Sequence, residues 1–458
     1  MRGHPDVFSS LQAEFYDWRL WATRVVVLAF ASLAGLTVVA FTLLSDLALK
    51  SFHSMHSALW WAPLLLTPIC TAGIVWCTRR FAPGAAGSGI PQVMAALTTG
   101  ASPTSLFVSF RLTIAKIFLT TWGLFAGLSL GREGPSVQIA AGVMHSARRW
   151  LPKAGVVTDH GLLMAGGAAG IAAAFNTPLG GILFAIEELT RKPEQRSNGL
   201  IMAAIVLGGM MAVSVFGNST YFGVIPSEKI GFSLLGPALL VALVCGLAGG
   251  LFSRLLIVSL SGDSTDWFNR QRQRFPVYFT ASCGLVIAII GLATSGGTFG
   301  SGYLHTRAML EGSGEQSPFY VVLKFVATWL TTWSGVPAGI FAPSLAIGGA
   351  LGNDIAGWTG HAQAATLIAL GMAGFLAAVT QAPMTAFVIV MEMVDGHGLV
   401  LSLMACALLS SGLSRLVSAP LYSSLAELQL KRIPADSPKK GSPHGMQGKT
   451  YNKYDVSE

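Results

Sequence analysis

Three stretches without Asp, Glu, Lys or Arg constrain this chain more than any other feature. Residues 25–45 lie between Arg24 and Asp46, 57–78 between His56 and Arg79, and 231–253 between Lys229 and Arg254. Each holds roughly 20 uncharged residues, the length a bilayer core demands of a helix. Lipid offers no partners for backbone N–H and C=O groups, so such a segment must satisfy them within itself. The rest of the chain agrees: of 458 residues, 52% are hydrophobic and 11% charged. Soluble chains carry about 25% charged residues, so most of this surface faces lipid. The expected fold is therefore an all-α polytopic membrane protein. Membrane segments are expected near 24–48, 58–80, 105–130, 136–150, 161–190, 199–215, 231–260, 276–295, 366–395 and 398–418.

A net charge of +8 would suit nucleic acid, but the cations flank the apolar runs instead. Arg79-Arg80, Arg191-Lys192 with Arg196, Arg254 with Arg270, Arg272 and Arg274, and Lys431-Arg432 fit cytoplasmic loops. That pattern puts both termini in the cytoplasm and gives no reason for a nucleic-acid partner. Residues 1–21, ahead of the first span, are too long and mixed for the n-region of a signal peptide, and 1–22 predict a partly amphipathic helix on the cytoplasmic surface. From 434 to 458, Ser, Pro, Lys and Gly without apolar periodicity predict a disordered tail. The five cysteines sit in apolar segments without paired spacing, so neither a disulfide framework nor a metal site is expected.

Within this charge-poor background stands Gly131-Arg132-Glu133-Gly134-Pro135. Its glycines let the backbone open, and Pro135 suits the first turn of a helix. A helix start carries free N–H groups and a partial positive charge, which attract anions, and Glu133 can compete for the same place. An acid at membrane depth is a functional candidate by default. Two more Gly/Pro breaks follow the same logic: Gly87-Ser88-Gly89-Ile90-Pro91 and Gly339-Ile340-Phe341-Ala342-Pro343. Unpaired backbone at that depth must face protein or a wet cavity.

The halves also repeat. Residues 166–190 slide by 205 onto 371–395, aligning Gly166 with Gly371, Pro178 with Pro383 and Glu187 with Glu392. The Glu133 break maps onto 339–343 at an offset of 208. A duplicated unit is expected, with one repeat over 23–230 and the other over 231–433, in the inverted arrangement that places broken helices at mid-membrane.

These three motifs in this order, followed by a late tyrosine (Tyr422), resemble the CLC family of chloride channels and chloride–proton antiporters over about residues 20–430. The resemblance implies an antiparallel duplicated helical fold and a homodimer with one anion pathway per subunit. It implies that Ser88 and Tyr422 hydroxyls with the N–H groups of Ile340 and Phe341 hold a central anion, and that Arg132 and Gly134 belong to the same site. Glu133 matches the family's gating glutamate. Glu188 matches the inner glutamate of many proton-coupled members, although Glu187-Glu188 before Arg191-Lys192 also reads as an ordinary helix end with surface charges. Glu187 and Glu392 are expected to hydrogen-bond backbone or polar groups rather than carry protons. Lys116 resembles a family lysine that adds positive potential, but equally suits an interface anchor. Ser88 resembles chloride-handling members, where nitrate-selective relatives carry proline.

The expected function is exchange of chloride for protons, with a passive chloride channel of the same fold as the alternative. An intramembrane hydrolase would need a base beside Ser88, and the sequence offers none, so no enzyme activity and no cofactor are expected. The short tail lacks room for nucleotide-binding regulatory domains and suggests a bacterial inner membrane.

Overall fold

A computed structural model describes residues 18–99, 104–152, 157–190, 198–217, 220–225, 232–262, 266–312, 317, 319–360 and 363–431. Most of the expected surface helix, the basic stretch 191–197 and the 434–458 tail lie outside the described residues. Among those described, the regular structure is helical except for one antiparallel bridge between Gly131 and Gly339.

Among the described residues, six helices are long and apolar enough to cross a membrane: Trp18–Ala58, Ala62–Phe81, Gly199–Phe216, Phe232–Ser261, Pro276–Ala293 and His397–Val417. Their sequences show why each has two faces. In Leu235–Ser261, Leu239, Leu243, Leu247 and Leu251 recur every four residues and are exposed, forming one stripe for lipid. On its other side Cys245, Gly246, Gly249 and Gly250 are buried. Small residues let backbones approach without a hydrophobic drive, and van der Waals packing then holds the helices together.

Shorter helices fill the interior. Glu133–Ser146 packs on Asp159–Phe175, and Phe341–Thr359 packs on Ala364–Thr380, the corresponding pair of the second half. Both contacts depend on absent side chains. A Cβ on Gly170 would lie 2.5 Å from the Ser136 carbonyl oxygen, and one on Gly348 would collide with that of Gly371.

Two expected segments prove to be pairs of helices. Asp159–Phe175 stops and Pro178–Phe184 begins, just as Ala364–Thr380 stops before Pro383–Met393. Asn176 (φ 59°) and Gln381 (φ 57°) close the first helix of each pair in the left-handed region. A proline then opens the second helix, where its missing N–H is harmless. Conversely, the first span grows to the 41-residue helix Trp18–Ala58. It has no proline and one glycine, Gly35, so nothing ends it early, and residues 18–22 are its first turns rather than part of a separate element.

The repeat is visible in a reciprocal staple. Glu187 accepts from the backbone N–H groups of Met384 (3.1 Å) and Thr385 (2.6 Å), at the start of Pro383–Met393. Glu392 accepts from Leu179 (3.2 Å) and Gly180 (2.7 Å), at the start of Pro178–Phe184. Each carboxylate satisfies the free donors of the other repeat's helix start, the role expected for this pair.

Candidate functional site

The three Gly/Pro breaks meet. Gly131 donates to the Gly339 carbonyl at 2.7 Å and accepts from the Gly339 N–H at 3.0 Å. Ala338 N–H donates to the Gly87 carbonyl at 3.2 Å. That carbonyl and the one of Ala85 also take Lys116 Nζ, at 2.6 and 2.8 Å, so a fully buried lysine straps the first break from behind. Close approach requires glycine at two points. Gly89 has φ +109°, and a Cβ there would lie 2.5 Å from the Gly134 carbonyl oxygen. A Cβ on Gly134 would fall on Ser88 Oγ and lie 2.8 Å from the Ser88 carbonyl oxygen.

Four helices begin around this knot: Ile90–Thr99, Glu133–Ser146, Phe341–Thr359 and Leu421–Lys431. The last was not foreseen. Tyr422 does not close the last membrane helix. Val400–Val417 stops at extended Ser418, and Tyr422 lies in the first turn of a further helix. Pro420 directly ahead of Leu421 was the available signal.

Glu133 is completely buried, and neither carboxylate oxygen has a hydrogen-bond partner. The N–H groups facing it belong to Glu133 itself, Ala342 and Arg132, from the starts of two helices, without reaching hydrogen-bond geometry. Ser88 and Tyr422 are buried as well, and their hydroxyls lack partners. The Tyr422 hydroxyl lies within electrostatic reach of Glu188, Ser88 and Glu133, yet it is not aligned for a hydrogen bond with Ser88. Phe341 stacks on Tyr422 at 6.2 Å and 10°, and Phe184 meets Phe341 edge-on at 6.4 Å. Ile340, the residue before the Phe341–Thr359 helix, is buried and turns its carbonyl inward to Ser344 Oγ at 2.7 Å.

One residue departs from expectation, and for a second, one of its two readings falls. Arg132 was placed among the anion contacts, but its guanidinium forms an ion pair with Asp46 and donates to the Tyr221 hydroxyl at 3.2 Å. The nearby acid and phenol draw the side chain away, leaving its main-chain N–H near Glu133. Glu188 is 1% exposed, in a wide π-type turn over Ala185–Thr190, so the surface-charge reading fails for it. Such turns re-aim side chains and gather at functional positions.

The cradle thus offers N–H and O–H donors and one ionisable acceptor. A small anion and the ionised Glu133 carboxylate can occupy it in turn. Helix starts and hydroxyls favour negative charge without the grip of a salt bridge, so an anion can also leave.

This fold and site define an integral, multi-pass helical membrane protein of two inverted repeats, whose broken helices meet at one buried knot. The chain belongs to the family described as voltage gated chloride channel, which it matches over residues 70–415. It is 31% identical over 449 residues to the H(+)/Cl(-) exchange transporter ClcA of Cronobacter sakazakii, covering 90% of this chain and 92% of that one. With the protein of the same name from Salmonella typhimurium it shares 31% over 398 residues, covering 83% and 82%. Among solved structures, a slow cyanobacterial Cl-/H+ antiporter superposes with a TM-score of 0.75 at 26% identity, covering 90% of this chain and 98% of that one. A CLC-type fluoride/proton antiporter shares the fold, with a TM-score of 0.74 at 20% identity over 89% of this chain and 98% of that one.

Proposed function

We propose that this protein is a secondary active transporter that exchanges chloride for protons. The observation that carries the reading is the Glu133 carboxylate, buried without a hydrogen-bond partner between the starts of Glu133–Ser146 and Phe341–Thr359. Ionised, it takes the outermost anion position; protonated, it leaves, and chloride enters. Ser88, Tyr422 and the N–H groups of Ile340 and Phe341 hold the central anion, with Gly134 keeping the approach clear. Glu188 delivers protons from the cytoplasmic side. Proton and anion cannot share the outer position, and that exclusion turns two leaks into exchange. The relatives named as H(+)/Cl(-) exchange transporters support this reading.

The working unit on this reading is a homodimer in a bacterial inner membrane, with both termini cytoplasmic. Each subunit holds one repeat over 23–230 and another over 231–433, and has its own pathway.

The test is purified protein in chloride-loaded vesicles. Outward chloride flow must drive proton uptake against its gradient, and Glu133→Gln must abolish the proton flux. Chloride movement with no proton movement at any pH would replace the exchanger by a passive channel.

A further inference from the structure

The first break has an image in the second half that the transport reading leaves unused. Gly300-Ser301-Gly302 repeats Gly87-Ser88-Gly89 at an offset of 213, in residue type and in backbone. The flanking glycines have φ +66° and +87° in the copy, against +82° and +109° in the original. A helix begins directly after each, Tyr303–Leu310 and Ile90–Thr99. The lysine strap recurs too: Lys324 Nζ donates to the carbonyls of Thr298 at 2.9 Å and Gly300 at 2.8 Å, as Lys116 does to those of Ala85 and Gly87. In an inverted repeat the copy opens toward the opposite membrane face from Ser88.

A second observation, independent of the loop, points to a ligand there. Tyr320 is 2% exposed, and its hydroxyl has no hydrogen-bond partner. That hydroxyl lies 3.3 Å from where a Cβ on Gly302 would stand, as does Lys324 Cε. A buried hydroxyl is seldom left unpaired. His305 stacks on the Tyr320 ring at 4.0 Å, and its own Nε2 is buried without a partner. The groups gathered here can donate: the Lys324 amine, the Tyr320 phenol, the His305 imidazole and the first N–H groups of Tyr303–Leu310, of which Tyr303 is capped by Ser301 Oγ at 3.3 Å. Among the described residues Lys324 has no acidic partner. Converging N–H and O–H groups with no carboxylate among them suit an anion.

We propose that the Gly300-Ser301-Gly302 loop, with Tyr320, His305 and Lys324, is a second binding site for a small monovalent anion. It is the repeat image of the Ser88 cradle, on the other face of the same subunit. It carries no gating carboxylate and lies off the exchange path, so it holds an anion without coupling it to protons.

Crystals of the full chain soaked in sodium bromide test this directly. Wild type is expected to show an anomalous peak within hydrogen-bond distance of the Tyr320 hydroxyl, whether or not bromide fills the Ser88–Tyr422 cradle. Tyr320→Phe, which keeps the ring and its stack on His305, is expected to lose this peak while leaving any peak at Ser88 unchanged. Absence of an anomalous peak in wild type, including density that fits only water, overturns the proposal. So does a bromide peak that survives Tyr320→Phe. An empty Ser88 cradle beside a filled Tyr320 site would instead count against the central anion site proposed above.

Discussion

The reciprocal staple makes a quantitative prediction that does not depend on transport. Glu392→Ala removes both acceptors at the start of Pro178–Phe184, stranding the N–H of Gly180, bonded at 2.7 Å, and that of Leu179, at 3.2 Å. A hydrogen bond to a charged group contributes about 1.5–3 kcal/mol. The Gly180 bond is short and sheltered, whereas the Leu179 side chain is 53% exposed and its bond longer, so the pair is worth about 3 kcal/mol rather than the maximum. An unfolding entropy of about 2 cal/mol/K per residue makes 1 kcal/mol equal to roughly 1 °C for a chain of 458 residues. Glu392→Ala should therefore lower the melting temperature in detergent by roughly 3 °C, and Glu392→Gln, which keeps one acceptor, by about half as much. Glu187→Ala should cost a similar amount, because Met384 and Thr385 are held the same way. Both staples join the continuous run Pro178–Thr190 to Pro383–Met393, so the double variant should lose less than the sum. Unchanged melting in both single variants would refute the argument, and strict additivity would show that the staples act independently.

Three further outcomes test the cradle. Glu188→Gln should lower proton flux while leaving chloride flux substantial in vesicle assays; equal loss of both would mean that the buried side chain holds the turn rather than moves protons. Ser88→Pro removes an unpartnered hydroxyl and should shift preference from chloride toward nitrate, measured by anion competition; unchanged selectivity would remove Ser88 from the contacts. Gly134→Ala puts a methyl against Ser88, 2.8 Å from its carbonyl oxygen and 3.3 Å from Gly339 Cα. It should cut chloride flux by about tenfold or more, the equivalent of about 1.4 kcal/mol. Wild-type flux in that variant would show that the breaks can part without cost.

Much of this molecule is legible in its sequence because the decisive features are local. An acid amid apolar residues at 133, Gly/Pro breaks near 88, 133 and 341, and apolar runs of spanning length need no knowledge of what lies across the fold. What escaped was non-local or depended on one backbone angle. The split at Asn176 and Gln381 rests on residues that tolerate the left-handed region without demanding it. The destination of the Arg132 guanidinium depended on Asp46, 86 positions away. Lys116 resembled a source of potential; its straps to Ala85 and Gly87 span 31 and 29 positions, and nothing around Lys116 announces them. Glu188 was ambiguous because one residue separates a paired surface acid from a buried one on a turn.

The two hydrogen bonds between Gly131 and Gly339 use only peptide groups. No change of side chain can delete those donors and acceptors, short of proline. The seam between the repeated halves is thus welded beside Glu133, while the hydroxyls and carboxylate around it remain free to be exchanged. A scaffold of this kind can retune which anion it accepts, or abandon proton coupling altogether, without first having to reinvent its shape.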